Sequence, residues 1–231
     1  LYPNEVLGVV GDNGAGKSTL MKILSGLYKQ SSGELFFEGN KINLESPRNA
    51  QDIGIEMVYQ DLALAGNLSI HENIYLGREP GWEFFGMKIV DSILSHKMAA
   101  EHLKKLHIEV KSVEQNVENL SGGQAQAVAI ARATAFNSRV VVMDEPTAAL
   151  AIKEVGKVLD LIKNLKQQGV SVILISHRLD DVFYVCDRVM SLFHGKNFEE
   201  APLAKTNRNE VIGWLMGTKG HTKSLAHDRI D

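Results

Sequence analysis

A chain of 231 residues with 44% apolar content and a net charge of −3 has the material for one large globular domain or two small lobes. The nearly balanced charge and the lack of a dense basic stripe argue against an electrostatic nucleic-acid binder. A single cysteine, Cys186, excludes an internal disulfide; no apolar run reaches the ~18 residues of a membrane span, so the chain reads as soluble, with any membrane association supplied by a partner.

In chain order, Val6–Val10 predicts a buried strand and Thr19–Leu24 the first turns of a helix ending near Gly26. Between them lies Gly11–Thr19, GDNGAGKST, which contains the complete G-x-x-x-x-G-K-[ST] pattern. A strand, this loop and a helix form the context in which the pattern cradles phosphate. Glycines let successive N–H groups point inward as an anion nest, and the helix N-terminus adds free donors and a positive dipole end. Lys17 supplies a point charge for the terminal phosphates, and the Ser18 hydroxyl suits Mg²⁺, a hard cation that takes oxygen ligands. The nucleotide-contact candidates are Gly11, Asp12, Asn13, Gly14, Ala15, Gly16, Lys17, Ser18 and Thr19.

Farther on, Gly33–Gly39 alternates and turns at Gly39-Asn40, a hairpin signal. Pro47–Asp52 predicts a short helix and Ile55–Gln60 a strand. The stretch from Asp61 to Phe136 is mostly helical in pattern: Ile70–Leu76, Asp91–Leu106 and Ser121–Phe136. Gly77–Gly86, with Pro80, Trp82, Phe84 and Phe85, reads as a surface loop partly tucked onto this insert, the alternative being a docking point for a partner helix. Strand–helix alternation resumes with strands at Val140–Asp144, Val170–Ser176 and Arg188–Phe193, the last turning at His194-Gly195. Helices are expected at Lys153–Gln168, Leu179–Cys186 and Asn209–Met216, with a polar tail after Thr218. Such alternation implies a largely parallel sheet with helices on both faces, here interrupted by a helical insert.

Further stretches carry chemistry. Val140–Asp144 is an apolar strand that ends in two carboxylates, Asp144 and Glu145, at the sheet edge where open α/β folds bind ligands. Asp144 fits a Mg²⁺-associated carboxylate and Glu145 a base or positioner for an attacking water. His177 directly follows the strand ending at Ser176 and emerges at the same edge. Gln60 ends a strand where the insert begins; its amide could reach Mg²⁺ or water, though a lone Gln at such a boundary is usually a solvated turn residue. In Leu120-Ser121-Gly122-Gly123-Gln124, Ser121 is a good N-cap. Two glycines in a first helical turn cost about 1 kcal/mol each relative to Ala, so some group is expected to approach the backbone closely there.

Together these residues resemble the nucleotide-binding subunit of ABC transporters: Gly11–Thr19 as Walker A, Gln60 as the Q-loop residue, Leu120–Gln124 as the LSGGQ signature, Asp144-Glu145 ending Walker B, and His177 as the switch histidine. The likeness spans about Asn4 to Gly217. GDNGAGKSTL, Val58–Leu64, Glu145–Leu150 and Ser176–Leu179 look like monosaccharide importers of the ribose, xylose and fructose type. The resemblance implies an α/β P-loop NTPase (RecA-like) core at residues 1–60 and 137–217, a helical signature-motif subdomain at 61–136 and a polar tail at 218–231. It implies an ATPase at the cytoplasmic face of the membrane, using ATP and Mg²⁺. The catalytic residues would be Glu145, His177 and Gln60, and the metal set Ser18, Gln60 and Asp144. Ser121, Gly122, Gly123 and Gln124 would close over the γ-phosphate held by a second cassette, either a homodimer mate or a tandem half. Permease subunits and, indirectly, a periplasmic or extracellular sugar-binding protein complete the implied partners, with no nucleic acid among them.

Three departures from the family pattern stand out. Family members carry further N-terminal strands and an aromatic that stacks on adenine. Tyr2 is a poor substitute, about 30 Å from the phosphate loop at about 3.3 Å per residue. The chain is therefore expected to be an N-terminally truncated cassette, and an impaired one is the first alternative reading. Ala151 replaces the usual D-loop Asp, and Ala125 stands where many relatives have Arg. The second alternative is a soluble ABC ATPase acting on DNA or ribosomes; such proteins carry a long coiled-coil insertion or two cassettes joined by a charged linker, and this chain shows neither, nor a basic stripe.

Overall fold

The computed structural model describes residues 1–85 and 87–218, so the predicted tail beyond Thr218 lies outside the described residues. The elements run β1 (Val6–Val10), α1 (Lys17–Leu24), β2 (Leu35–Phe37), β3 (Asn40–Ile42), α2 (Pro47–Asp52), β4 (Ile55–Val58), α3 (Ile70–Tyr75), β5 (Gly81–Phe84), β6 (Met87–Val90) and α4 (Ser92–Lys105). They continue with α5 (Gly122–Thr134), β7 (Val140–Asp144), α6 (Ile152–Gln167), β8 (Ser171–Ile175), α7 (Leu179–Val185), β9 (Arg188–Phe193), β10 (Lys196–Pro202) and α8 (Arg208–Leu215).

One sheet, ordered β10-β9-β1-β8-β7-β4, forms the centre. All its pairings are parallel except that of the edge strand β10 with β9. The apolar runs are continuous because both sheet faces are covered. Val6, Val141, Met143, Val172 and Leu174 turn to one face, where residues of α3 to α6 join the same buried cluster. Leu7, Val9, Val142, Ile173 and Ile175 turn to the other, against Met21 of α1, Leu44 and Ala50. The strict alternation is the period-2 geometry of a strand read in a fully buried setting.

The helices start where their caps place them. Ser69 and Glu72 form a reciprocal capping box on α3, and Ser121 and Gln124 form another on α5. Asp91 accepts from the Leu94 N–H at the start of α4, and Ser46 with Pro47 opens α2. Ile70, Ile74, Leu103, Val128 and Ile130 place the helical stretch in the same cluster as the sheet face. Asn73, fully buried on α3, ties the preceding loop down: it accepts from Ala65 N at 2.8 Å and donates to the carbonyls of Ala65, Leu68 and Ser69 at 2.9, 3.2 and 2.9 Å.

The fold departs from the expected elements in five places. β4 stops at Val58, leaving Gln60 outside the strand. The predicted loop at Gly77–Gly86 is corrected to part of a β-hairpin, with Trp82 paired to Ile89 and Phe84 to Met87. Its turn residue Phe85 sits at φ 48, a left-handed position usually filled by Gly, Asn or Asp, so the usual turn signal is missing. Nor is the loop tucked away: Trp82 is 55% and Phe85 89% exposed. β10 was not expected either, because KNFEEAP is charged and ends in Pro, the composition of a guarded edge strand. Single 3₁₀ turns at Val117–Asn119 and Leu203–Lys205 complete the differences.

Replacing Asn73 by Ala removes four hydrogen bonds and leaves the half-buried Ala65 N–H without a partner, while the carbonyls of Ala65, Leu68 and Ser69 keep the backbone N–H donors of Leu68, Val117 and Asn73. It should lower unfolding free energy by about 3 kcal/mol, read from urea denaturation.

Candidate functional site

The register of the sheet decides where the site lies. Val9 pairs with Ile175, Ile175 pairs with Asp144, and Met143 pairs with Val58. The carboxyl ends of β1, β8, β7 and β4 therefore finish level, and every chemical segment leaves the sheet at one edge.

The phosphate loop leaves β1 and closes on itself through an Ala15 N–H donated to Asp12 O at 3.0 Å. Gly16 caps α1 at φ 104, a conformation that L side chains strain to adopt, and no side chain caps the helix. The first N–H groups of α1 are thus left for an anion. Lys17 lies along the loop, its Nζ donating to Gly11 O at 2.6 Å and Asp12 O at 3.0 Å. The turn after β9 braces this loop: the Gly195 N–H donates to Ala15 O at 2.9 Å. That role for His194-Gly195 is invisible in the sequence, where the pair reads only as a turn. Asp12, Asn13, Gly14, Ser18 and Thr19 are exposed.

Across the edge, Glu145 stands at φ 47, a strained position for a carboxylate residue, with its backbone N–H held by Ile175 O at 2.9 Å. The twist brings its Oε2 to 3.0 Å from His177 Nδ1. Asp144 is half-buried, and its carboxyl is pushed above the usual range, first by burial and then by the charge of Glu145; Lys17 pulls it partly back. Two neighbouring carboxylates with one incomplete cationic offset leave this edge with unbalanced negative charge. Ser18, Asp144 and Gln60 offer only oxygen-type donors from hydroxyl, carboxylate and amide, which fits Mg²⁺. Among the described residues no hydrogen bond joins these three to one another, so they share an edge without a direct contact.

Gln60 is exposed, one strand over from Asp144-Glu145. The signature residues stand apart from this edge, on the first turn of α5, which packs against α3, α6 and β4. Beside them opens a cavity of about 420 Å³, lined by residues that include Ser121, Gly123, Gln124, Glu154 and Lys157 and by none of the phosphate loop. The group expected to approach the glycine pair is present within the chain. A Cβ on Gly123 would stand 2.9 Å from Glu154 Cβ and Cδ, and one on Gly122 would stand 3.4 Å from Leu150 Cδ2. Glu154, three residues past Ala151 in the first turn of α6, carries no sequence signal of this contact. Tyr2 lies at the opposite end of β1, its ring 4.8 Å from the Arg188 guanidinium.

The comparisons with known proteins agree with this geometry. The family model described as ABC transporter matches residues 1–148. The chain is 45% identical over 211 residues to the xylose/arabinose import ATP-binding protein of Sulfolobus acidocaldarius, covering 90% of this chain and 81% of that one. It is 48% identical over 193 residues to the fructose import ATP-binding protein of Rhizobium meliloti, covering 82% and 74%. Among solved structures, the dimeric post-hydrolysis state of an ATP-binding cassette bound to ADP and Pi superposes with a TM-score of 0.72 at 30% identity, covering 88% of each chain. With a family match across well over half its length and a shared fold, the chain belongs to the ABC transporter family, as one of its ATP-binding cassettes.

Proposed function

We propose that this chain hydrolyses ATP to drive uptake of a monosaccharide, as the peripheral ATP-binding subunit of an importer at the cytoplasmic face of the membrane. The observation that carries the hydrolytic part is the Glu145–His177 contact of 3.0 Å, at the edge where the phosphate loop also ends. The sugar reading rests on the names of the two relatives, importers of xylose/arabinose and of fructose. Among the described residues no helix is long and apolar enough to cross a membrane, so permease subunits would provide the path. Residues 1–60 and 137–217 would act as the nucleotide core and 61–136 as the arm that presents the signature. A cavity of about 310 Å³, lined in part by Glu56, Tyr59, Leu76 and Arg78 next to Gln60, gives a permease segment a place to sense that arm.

In this reading the backbone of Gly11–Gly16 and the free N–H groups of α1 hold the phosphates. Lys17 exchanges its two loop carbonyls for phosphate oxygens, so the loop carries its own placeholder cation until nucleotide arrives. Glu145 orients or deprotonates the attacking water, and His177 holds Glu145 and faces the γ-phosphate. Ser18 and Asp144, with Gln60 beside them, would hold Mg²⁺, which when bound neutralises phosphate charge. Ser121, Gly122, Gly123 and Gln124 would reach the γ-phosphate of a second copy, head to tail, because in their own chain they lie on a different element from the loop.

Glu145→Gln should lower steady-state hydrolysis by about 10²–10⁴-fold, as loss of a general base does, while ATP still binds. The wild-type specific rate should rise with protein concentration; a flat rate in a coupled-enzyme assay would rule out the shared site. A second expectation concerns stability. Ionised Asp144 is less favoured in the folded chain than in the unfolded one, so it weakens the fold at neutral pH and ceases to do so as pH falls through the carboxylate range. Asp144→Asn should therefore raise the melting temperature of the nucleotide-free protein at pH 7, with the gain shrinking in acid, while Mg²⁺-dependent hydrolysis is lost.

A further inference from the structure

The contact between Glu145 and His177 joins side chains on two separate segments, 145–150 after β7 and 176–181 after β8. At their root one backbone bond, Glu145 N–H to Ile175 O at 2.9 Å, holds them together. Beyond that root the segments are crossed a second time, by side chains to which the sequence assigns no site role. Thr147 is 1% exposed and Asp181 2% exposed, and the Thr147 hydroxyl donates to Asp181 Oδ2. Asp181 lies in the first turn of α7, about one turn past His177 on the same segment. The same Oδ2 is 3.6 Å from Arg178 Nε, so the buried charge keeps a cationic neighbour next door to His177. Ser176, on the other side of His177 and also buried, accepts the Arg178 N–H at 3.0 Å on its hydroxyl. Thus His177, itself largely exposed, is flanked by residues that are pinned, and the pin nearest the Glu145 loop is Asp181.

We propose that Asp181 is a positioning residue for ATP hydrolysis: through Thr147 and Arg178 it ties the segment of His177 to the loop of Glu145 and so holds the two side chains in contact. The proposal rests on the hydrolytic reading above and adds to it Thr147, Arg178 and Asp181, none of them among the residues proposed to hold nucleotide or metal. A buried carboxylate shared between a hydroxyl and a guanidinium suits this task, because a charge-assisted bond is short and directional and its loss leaves a buried partner unsatisfied. Small displacements of a catalytic pair are costly, which gives the tether a kinetic reading.

The test uses the full chain. Thr147→Val keeps the shape of the side chain and removes the hydroxyl; Thr147→Ser restores a hydroxyl; Asp181→Asn removes the charge. The first readout needs no turnover: the ring cross-peak of His177 in histidine-labelled protein, assigned with His177→Ala and compared with Glu145→Gln, in which the ring has lost its carboxylate. Thr147→Val and Asp181→Asn should move the cross-peak toward its position in Glu145→Gln, and Thr147→Ser should leave it at the wild-type position. A His177 signal that stays put in both Thr147→Val and Asp181→Asn would overturn the proposal. The second readout is kinetic: kcat should fall about tenfold in Thr147→Val with KM for ATP unchanged, Thr147→Ser should recover it, and Asp181→Asn should have no further effect in a His177→Ala background. Equal losses in kcat and KM, or an effect that adds to His177→Ala, would also overturn it. If the cross-peak moves as expected but the wild-type chain does not hydrolyse ATP, the tether stands and the ATPase reading fails.

Discussion

The parallel register of β1, β8 and β7 is the constraint on which the rest depends. Because Val9, Ile175 and Asp144 stand side by side, the phosphate loop, the histidine turn and the acidic pair leave the sheet together. A slip of one residue in any of these strands would invert its buried faces, exchanging Val141 and Met143 for Val142. The hydrophobic alternation that stabilises the sheet is therefore what aims the candidate catalytic groups. Core and site are specified by the same few residues, read in two directions.

That aim leaves the edge poorly satisfied in itself. Asp144 and Glu145 are adjacent acids, Asp144 is held in a half-buried setting that disfavours its charge, and Glu145 adopts a left-handed backbone. Lys17, the nearest relief, is occupied by two loop carbonyls. Gly16 leaves the start of α1 without a side-chain cap. Each of these is a small cost to the folded chain, and in the proposed reading a bound phosphate with its cation would offset the charge and the missing cap. Local frustration concentrated at one edge of an otherwise dry and regular sheet is what a binding site looks like before its ligand.

What could be read from the sequence follows the range of each contact. The phosphate loop and the Ser121 cap of α5 are written in residues within a few positions of one another, so spacing alone places them; the hairpin turn expected at Gly39-Asn40 falls one residue earlier, at Glu38-Gly39, because Asn40 already pairs with Phe37. The sheet strands are legible because Val- and Ile-rich runs bounded by turns have few other uses. The hairpin at Gly81–Val90 escaped because its turn uses Phe85 where turn chemistry expects a smaller residue. β10 escaped because edge strands are charged by design. The contact of Glu154 with Gly123 and the bond of Thr147 with Asp181 join residues about 30 positions apart on different elements, and only the packed chain brings them together. The candidate chemical groups lie within short motifs, whereas the residues that hold them in place are set by contacts far apart in the chain.

The glycine pair of the signature shows how these scales meet. Gly123 is needed inside the chain, since Glu154 lies too close for a side chain there, so the pair alone does not require a ligand. The stronger argument comes from how α5 is held. Its buried residues Val128 and Ile130 share one cluster with Met143 of β7 and Ile162 of α6, and the helix packs on α3, α6 and β4. A helix fixed on so many sides is not a loose flap that can fold over its own phosphate loop. Its exposed first turn, with Ser121 and Gln124 already capping each other, can still present the N–H groups of Gly122 and Gly123 outward. In the proposed reading, this packing on α3, α6 and β4 is the physical reason to expect a second copy to complete the site.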